Sequence, residues 1–171
     1  MTATPIPRTL MQSWFAGIAS SQLKEKPCCR LPIVTSVVKS SARTQLLNRV
    51  RAACRAGGRV YWICSLIEAS EESKVNAAVD VFAEIKRCFS DIKVGLIHGR
   101  MKSEEKNSVM SDFASGALQL LVATTVVEVG VDVPEATIIV IDNPERLGLT
   151  QLHQLRGRVG RSDLQSYCVL L

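Results

Sequence analysis

Six short stretches rich in apolar residues recur along the chain, separated by longer stretches of mixed polarity. They are residues 32–38, 60–66, 94–97, 118–123, 137–141 and 167–171. Most of them carry apolar residues at successive rather than alternate positions, which is typical of strands that are covered on both faces. The pattern therefore predicts six strands in the middle of a layered fold.

Between these stretches, apolar residues recur three or four positions apart, which is the period of an amphipathic helix. The helices predicted in this way carry Leu46, Leu47, Val50 and Ala53; Val79, Phe82, Ile85 and Phe89; and Leu149, Leu152 and Leu155. A Gly57-Gly58 pair is expected to stop the first helix, and a further helix is expected to be capped by Ser103 and to end at Gly116. Because strand and helix alternate, the sequence predicts an α/β fold, a parallel sheet with helices on both faces.

Polar residues and glycines follow several of the predicted strands directly. Residues 98–101 follow one strand, Thr124 and Thr125 follow another, and residues 143–146 follow a third. Ligands of such sheets bind at the carboxyl ends of the strands, so we expect these three loops to form one surface.

Composition adds little to this description. The chain has 171 residues, 47% of them hydrophobic, and a net charge of +5, which fits one domain plus a short extra piece and is weak evidence for an anionic partner. The six cysteines form no C-x-x-C pair and the two histidines are not spaced as their partners, so no metal site is expected. No stretch is as long as a membrane span and no signal peptide is recognisable, so we expect a cytoplasmic protein.

The densest candidate chemistry lies in residues 154–161, with the sequence Gln-Leu-Arg-Gly-Arg-Val-Gly-Arg. At helical pitch, Gln154, Arg158 and Arg161 lie at i, i+4 and i+7 on one face, and Arg156 points away from it. An amide and two guanidiniums on one side suit phosphate, because the guanidinium binds oxyanions through paired hydrogen bonds. The alternative is a solvated basic helix end, although such a face has no need of glycines.

Four short motifs resemble those of superfamily 2 helicases. Gln-x-x-Gly-Arg-x-Gly-Arg resembles motif VI, residues 123–134 resemble motif V, residues 98–101 resemble a His-Gly-x-Met element, and residues 2–5 (Thr-Ala-Thr-Pro) resemble motif III. Together with residues 143–149, their order is similar to that of the RecG branched-DNA helicases. The Mfd translocases remain a competing assignment.

The resemblance implies a RecA-like domain over residues 31–171, the helicase C-terminal or second motor domain, with residues 1–30 a remnant of the first motor domain and a linker. The chain has no G-x-x-x-x-G-K-[ST] sequence, so ATP with Mg²⁺ would be bound mainly by the first motor domain and this chain alone would be inactive. The implied partners are branched or forked DNA and the amino-terminal motor and wedge domains, in a monomeric enzyme.

The resemblance also implies roles for single residues. Arg158 and Arg161 would be catalytic arginine fingers, Gln154 would sense the nucleotide, and Gly130 and Asp132 would complete the nucleotide site. Thr124, Thr125, Gly99 and Arg100 would hold the DNA backbone. A capped strand-to-helix turn is the alternative for the threonines and Asp132, and His98 is interpreted as structural.

Two other functions stay open at this point. The chain could be a non-catalytic module that binds nucleic acid or docks to a motor, which the missing P-loop favours and the intact motif VI disfavours. It could also be a folded remnant of an interrupted gene without any activity.

Overall fold

The six predicted strands form one parallel sheet. The computed structural model describes residues 30–65, 71–124 and 133–171, without the side chains of 71–74. The strands are β1 (Val34–Val37), β2 (Arg59–Cys64), β3 (Val94–Ile97), β4 (Leu120–Thr124), β5 (Ala136–Asp142) and β6 (Tyr167–Leu170). Their spatial order is β1-β6-β5-β2-β4-β3, and every neighbouring pair is parallel. The sheet predicted from the apolar stretches is therefore confirmed.

Four α-helices connect these strands within the described residues. They are α1 (Arg43–Arg55), α2 (Glu71–Cys88), α3 (Ser103–Ser115) and α4 (Leu149–Arg156). Short 3₁₀ helices precede α1 at Ser40–Ala42 and α4 at Pro144–Arg146. The first helix ends before Gly57 and the third ends at Gly116, which has φ +85°, so both glycine stops are confirmed.

The helices cover the sheet on both faces and create two hydrophobic cores. On one face, Val50 of α1, Ile85 of α2 and Phe89, which directly follows α2, pack against a layer that includes the fully buried Trp62. On the other face, Met110 and Phe113 of α3 and Leu155 of α4 pack against Tyr61 and its neighbours. The central strands β2 and β4 contribute to both cores, which explains why they are apolar at successive positions.

Two local predictions about the helices are wrong. The residue before the first turn of α3 is Lys102, whose backbone N–H donates to Glu105, and Ser103 is already the first helical residue. On α2, Val79 is 41% exposed and Ala78 is buried instead, whereas Ile85 and Phe89 are buried at the predicted positions.

The described cysteines are packing residues with one exception. Burial raises the pKa of the Cys54 and Cys64 thiols to about 12 and also raises the pKa of Cys168, which keeps all three protonated near neutral pH. Cys88, at the end of α2, is exposed. Separately, no helix in the described ranges combines the length and apolarity that crossing a membrane would need.

Candidate functional site

Two of the predicted loops lie side by side at the carboxyl edge of the sheet. Thr124 is the last residue of β4 and is buried, and its neighbour in the sheet is β3, where Ile97 pairs with Ala123. His98, Gly99 and Arg100 follow β3 and therefore begin at the same level as Thr124. Thr125, Gly130 and Asp132 lie outside the described residues, so their roles stay predictions.

The loop after β3 is held in place by its own chain and by α3. The Met101 N–H donates to the His98 carbonyl at 3.2 Å, which closes a turn over Gly99 and Arg100. Lys106 donates from Nζ to the Gly99 carbonyl at 2.9 Å. Arg100 is exposed at the tip of this turn. A fixed backbone that presents an exposed arginine is a suitable contact for a phosphate.

The carboxyl end of β5 is fixed by a different set of contacts. The Ser65 hydroxyl donates to the carbonyls of Asp142 and Asn143, and the Asn143 N–H donates to the Leu171 carbonyl at 2.9 Å. Asn143 has φ +53°, a left-handed conformation that asparagine tolerates better than most residues. The turn leads into the 3₁₀ helix at Pro144–Arg146, so the predicted loop at residues 143–146 is confirmed at this edge.

Arg43, at the start of α1, joins this edge to the neighbouring helix through two ion pairs. Its guanidinium donates to both Glu84 carboxylate oxygens, at 3.2 and 2.9 Å, and to Asp142 at 3.1 Å, and it lies 5.2 Å from the Trp62 ring centroid. The hydrogen bonds to Glu84 raise the pKa of Arg43, and Asp142 raises it further, although burial acts in the opposite direction. Arg43 therefore stays charged and ties α1, α2 and β5 together.

The helix that carries Gln154 ends earlier than the sequence predicted. Helix α4 stops at Arg156 and Gly157 forms its C-terminal cap, so Arg158 and Arg161 do not continue its face. The prediction that Gln154, Arg158 and Arg161 share one helical face is wrong for this reason. Gln154 is exposed on α4, and Arg158 and Arg161 are partly exposed beyond its end.

We call residues 157–166 the arginine loop, because Arg158 and Arg161 stand near its start. Val159, between the two arginines, is 1% exposed and belongs to the core beneath α4. Gly160 has φ +74°, which favours glycine strongly, and Arg161 donates from Nε back to the Gly157 carbonyl at 3.1 Å. The buried Val159 and the hydrogen bond from Arg161 to Gly157 hold the loop, so both arginines project from a backbone of defined conformation.

The arginine loop packs against residues 31–33, which we call the lead-in segment because they precede β1. A Cβ atom at Gly160 would lie 2.7 Å from Cγ1 of Ile33. The Val34 N–H donates to the Ser166 carbonyl at 3.0 Å. The missing bulk at Gly160 therefore makes room for the Ile33 side chain of the same chain.

These contacts place the candidate residues at two edges of the sheet. The arginine loop lies at the amino ends of β1 and β6, because it contacts residues just before both strands. Thr124, Gly99 and Arg100 lie at the carboxyl ends of β4 and β3. Among the described candidates, Arg158 and Arg161 therefore lie at a different edge of the sheet from Thr124, Gly99 and Arg100.

Several polar contacts of the site leave no signal in the sequence. The Arg43 contacts span 41 and 99 positions in the chain, and the contact from Arg156 to Ile33 spans 123. No periodic pattern connects residues so far apart. Within the described residues, no group of three or more His, Cys, Asp or Glu side chains is placed to hold a metal ion.

Over its whole length the chain is similar to bacterial helicases. It is 54% identical to the ATP-dependent DNA helicase RecG of Escherichia coli O157:H7 and 49% identical to that of Haemophilus influenzae, with all of this chain and 25% of each relative covered. The chain thus spans about a quarter of the length of these curated relatives.

Solved structures agree with this similarity. A structure of RecG bound to a three-way DNA junction superposes with a TM-score of 0.80 at 40% identity, covering 98% of this chain and 22% of that one. The Saccharomyces cerevisiae protein Dbp5, bound to RNA and ADP BeF3, superposes with a TM-score of 0.68 at 14% identity, covering 99% of this chain and 43% of that one, which shows the shared fold alone. Residues 38–163 match the family described as the helicase conserved C-terminal domain. The chain therefore belongs to the helicase conserved C-terminal domain family and has its RecA-like fold.

Proposed function

We propose that this chain is the second RecA-like domain of a RecG-type DNA helicase or translocase that acts on branched DNA in recombination and repair. The observation that carries the proposal is that Arg158 and Arg161 project from a loop whose backbone is held in place. Both arginines are partly exposed, and the residue between them in the core, Val159, anchors their loop. Solvent-accessible guanidiniums on a fixed backbone are what a shared phosphate site needs from one of its two halves.

The chemistry of this donor set fits the phosphates of ATP. Gln154 offers an amide, while Arg158 and Arg161 offer planar guanidinium donors that match the oxygens of a phosphate. ATP, when bound, would supply the phosphoryl group that is transferred to water. The two arginines would stabilise the negative charge that develops on that group, a contribution of roughly 10³–10⁵ in rate where single arginine fingers have been removed. Gly130 and Asp132 would complete the nucleotide side.

The opposite edge of the sheet fits a nucleic-acid backbone. Thr124 ends β4 beside the turn that presents Arg100, and Thr125 follows it in the chain. Hydroxyls, backbone N–H groups near Gly99 and an exposed guanidinium bind phosphate oxygens without reading the base sequence. We assign contacts with the DNA backbone to Thr124, Thr125, Gly99 and Arg100, because a translocase must hold the strand independently of its base sequence.

Other parts of the active protein belong to this proposal as well. Residues 31–171 would be the second motor domain, and residues 1–30 would link it to a first motor domain. That first domain would make most of the contacts to ATP and Mg²⁺. A wedge domain would hold the branched DNA, and the whole would act as a monomer. Support comes from the similar proteins, which are named ATP-dependent DNA helicases, and from the related RecG structure with a three-way DNA junction.

The test is Arg161→Ala in the complete protein that carries this chain. We expect DNA-stimulated ATP hydrolysis to fall by about a thousandfold or more, while the affinity for forked DNA stays nearly unchanged. Arg51→Ala is the matched control, because Arg51 pairs with Asp91 on the outside of α1. Normal hydrolysis with reduced DNA affinity would contradict the assignment.

A second assay separates the motor from a non-catalytic docking module. The 171-residue chain alone should hydrolyse no ATP, and addition of the first motor domain should restore hydrolysis. If the chain alone bound forked DNA tightly with a steep salt dependence, and the first motor domain restored nothing, the docking module would be the better description.

A further inference from the structure

Arg156 is the one arginine of residues 154–161 that the proposed nucleotide site does not use. Its side chain turns away from Gln154 and donates from Nη2 to the Ile33 carbonyl at 3.1 Å. Its Nε is buried and has no hydrogen-bond partner among the residues that the structure describes. A buried donor without a partner lowers stability. What the Arg156 side chain provides is a contact that holds the lead-in segment at Ile33.

A second side chain holds the same segment from the far end of the arginine loop. Gln165 donates from Nε2 to the Pro32 carbonyl at 2.9 Å. Arg156 and Gln165 thus bind two consecutive carbonyls of the lead-in segment, one from each side of the arginine loop. Gly160, between them in sequence, packs against the Ile33 side chain.

These contacts tie the position of the lead-in segment to that of α4 and the arginine loop. The Ile33 carbonyl is held by Arg156 at the end of α4, and the Pro32 carbonyl and the Ile33 side chain are contacted by the arginine loop that carries Arg158 and Arg161. Contiguous packing and hydrogen bonds carry coupling between elements, so we expect a shift of the arginine loop to reach Pro32 and Ile33. The lead-in segment is also the point where residues 1–30 join the sheet.

We infer that Arg156, with Gln165, is a positioning residue that couples the arginine loop to the linker leading into this domain. The inference rests on the proposed function, because it gives residues 1–30 the role of linking two motor domains. In that motor, contact between phosphate and Arg158 or Arg161 redirects the linker through Ile33. Hydrolysis at one edge of the sheet is thereby converted into movement of one domain relative to the other.

The coupling can be broken without removing the arginines that contact phosphate. Leu155 and Val159 are buried on either side of Arg156, so Arg158 and Arg161 stay anchored when the Arg156 guanidinium is lost. In the complete protein, Arg156→Met should leave DNA-stimulated ATP hydrolysis within about twofold of the unsubstituted protein. The number of base pairs unwound per ATP hydrolysed should fall on the order of tenfold.

This ratio distinguishes positioning from a structural role. A variant that only lowers the folded fraction reduces hydrolysis and unwinding together, so its ratio stays constant. Gln165→Leu should also lower the number of base pairs unwound per ATP hydrolysed. This variant provides the test if Arg156→Met does not fold. Arg51→Met, which removes a guanidinium from the outside of α1, should leave the ratio unchanged.

An unchanged ratio in a folded Arg156→Met or Gln165→Leu variant would overturn the inference. If Arg161→Ala still abolished hydrolysis, the proposed function would stand without it. If the unsubstituted protein showed no DNA-stimulated hydrolysis, both the proposed function and this coupling would be overturned together.

Discussion

Gly160 and Ile33 touch so closely that a Cβ atom added to the glycine would lie 2.7 Å from Cγ1 of the isoleucine. The same glycine has φ +74°, in the left-handed region. Two independent constraints therefore act on one position, the backbone conformation of the arginine loop and the packing of the lead-in segment. This contact fixes the shape of the loop that presents Arg158 and Arg161.

Gly160→Ala should destabilise the 171-residue chain by about 2 kcal/mol or more, because the left-handed backbone disfavours a side chain and Ile33 must also move. Urea denaturation followed by circular dichroism measures this change. The matched control is Gly157→Ala, where φ is −70° and the nearest atom to an added Cβ lies at 3.4 Å. We expect a change within about 0.5 kcal/mol there, and equal effects of the two substitutions would contradict the geometry.

The arginine loop also marks where prediction from the sequence stops. The strands followed from runs of apolar residues, since burial on both faces leaves a local trace in the chain. The position of Arg158 did not follow, because helical periodicity was extended through Gly157, where α4 ends. A glycine inside a periodic pattern is compatible with both a helix and its end, and only packing decides between them.

The same limit applies to the polar contacts. The apolar periodicity of α1 predicted its buried face, including Leu46 and Val50, from neighbouring positions alone. Arg43 gave no comparable signal, since Glu84 and Asp142 reach it only after β2, α2 and β5 are assembled. Motif resemblance predicted which residues are candidates for the site, and only the fold could place the described ones, with Arg158 and Arg161 at one edge of the sheet and Thr124 and Arg100 at another.

Arg43→Met should destabilise the chain by about 2 kcal/mol, because it leaves Glu84 and Asp142 without their shared cation while retaining an alkyl stem near Trp62. The side chains of Arg43 and Asp142 are 26% and 13% exposed, so solvent compensates only in part. Arg51→Met is the control, since Asp91 keeps its contact with Arg55 at 2.6 Å. Its cost should stay below about 1 kcal/mol, and a cost equal to that of Arg43→Met in urea denaturation would refute this ranking.

Asp91 predicts a specific pH dependence of stability. Hydrogen bonds from Arg51 and Arg55 lower the pKa of this carboxyl group to about 2. A lowered pKa in the folded state means that the contribution is present above the ordinary value of about 3.9 and is lost as the pH falls through the folded value. The gap in melting temperature between the unsubstituted chain and Asp91→Asn should therefore be constant above about pH 5 and should close towards pH 2.

Added salt should reduce the same gap at neutral pH, because both partners of Asp91 are solvent-accessible and ions screen such pairs. Differential scanning calorimetry of the two proteins across this pH range measures the gap directly. A gap that widens as the pH falls would mean that the carboxyl group is stabilised in its protonated form, contrary to the contacts with Arg51 and Arg55.

Arg100→Ala tests the proposed DNA contacts at the carboxyl ends of β3 and β4 separately from the arginine loop. In the complete protein we expect weaker binding of forked DNA and a decrease of about one in the slope of log affinity against log salt, since one phosphate contact is lost. ATP hydrolysis without DNA should not change, because Arg100 follows β3 at the carboxyl edge while Arg158 and Arg161 lie at the amino ends of β1 and β6.

The matched control for this experiment is Arg87→Ala, which removes an exposed arginine near the end of α2, just before the chain enters β3 at its amino end. Fluorescence anisotropy at several salt concentrations should give the same slope for Arg87→Ala as for the unsubstituted protein. If both substitutions lowered the slope equally, DNA would be attracted by the overall positive charge, and the turn over Gly99 and Arg100 would have no special part in holding it. A lower slope for Arg100→Ala alone would support this turn as a backbone contact and would separate DNA tracking from phosphate chemistry along the two edges of one sheet.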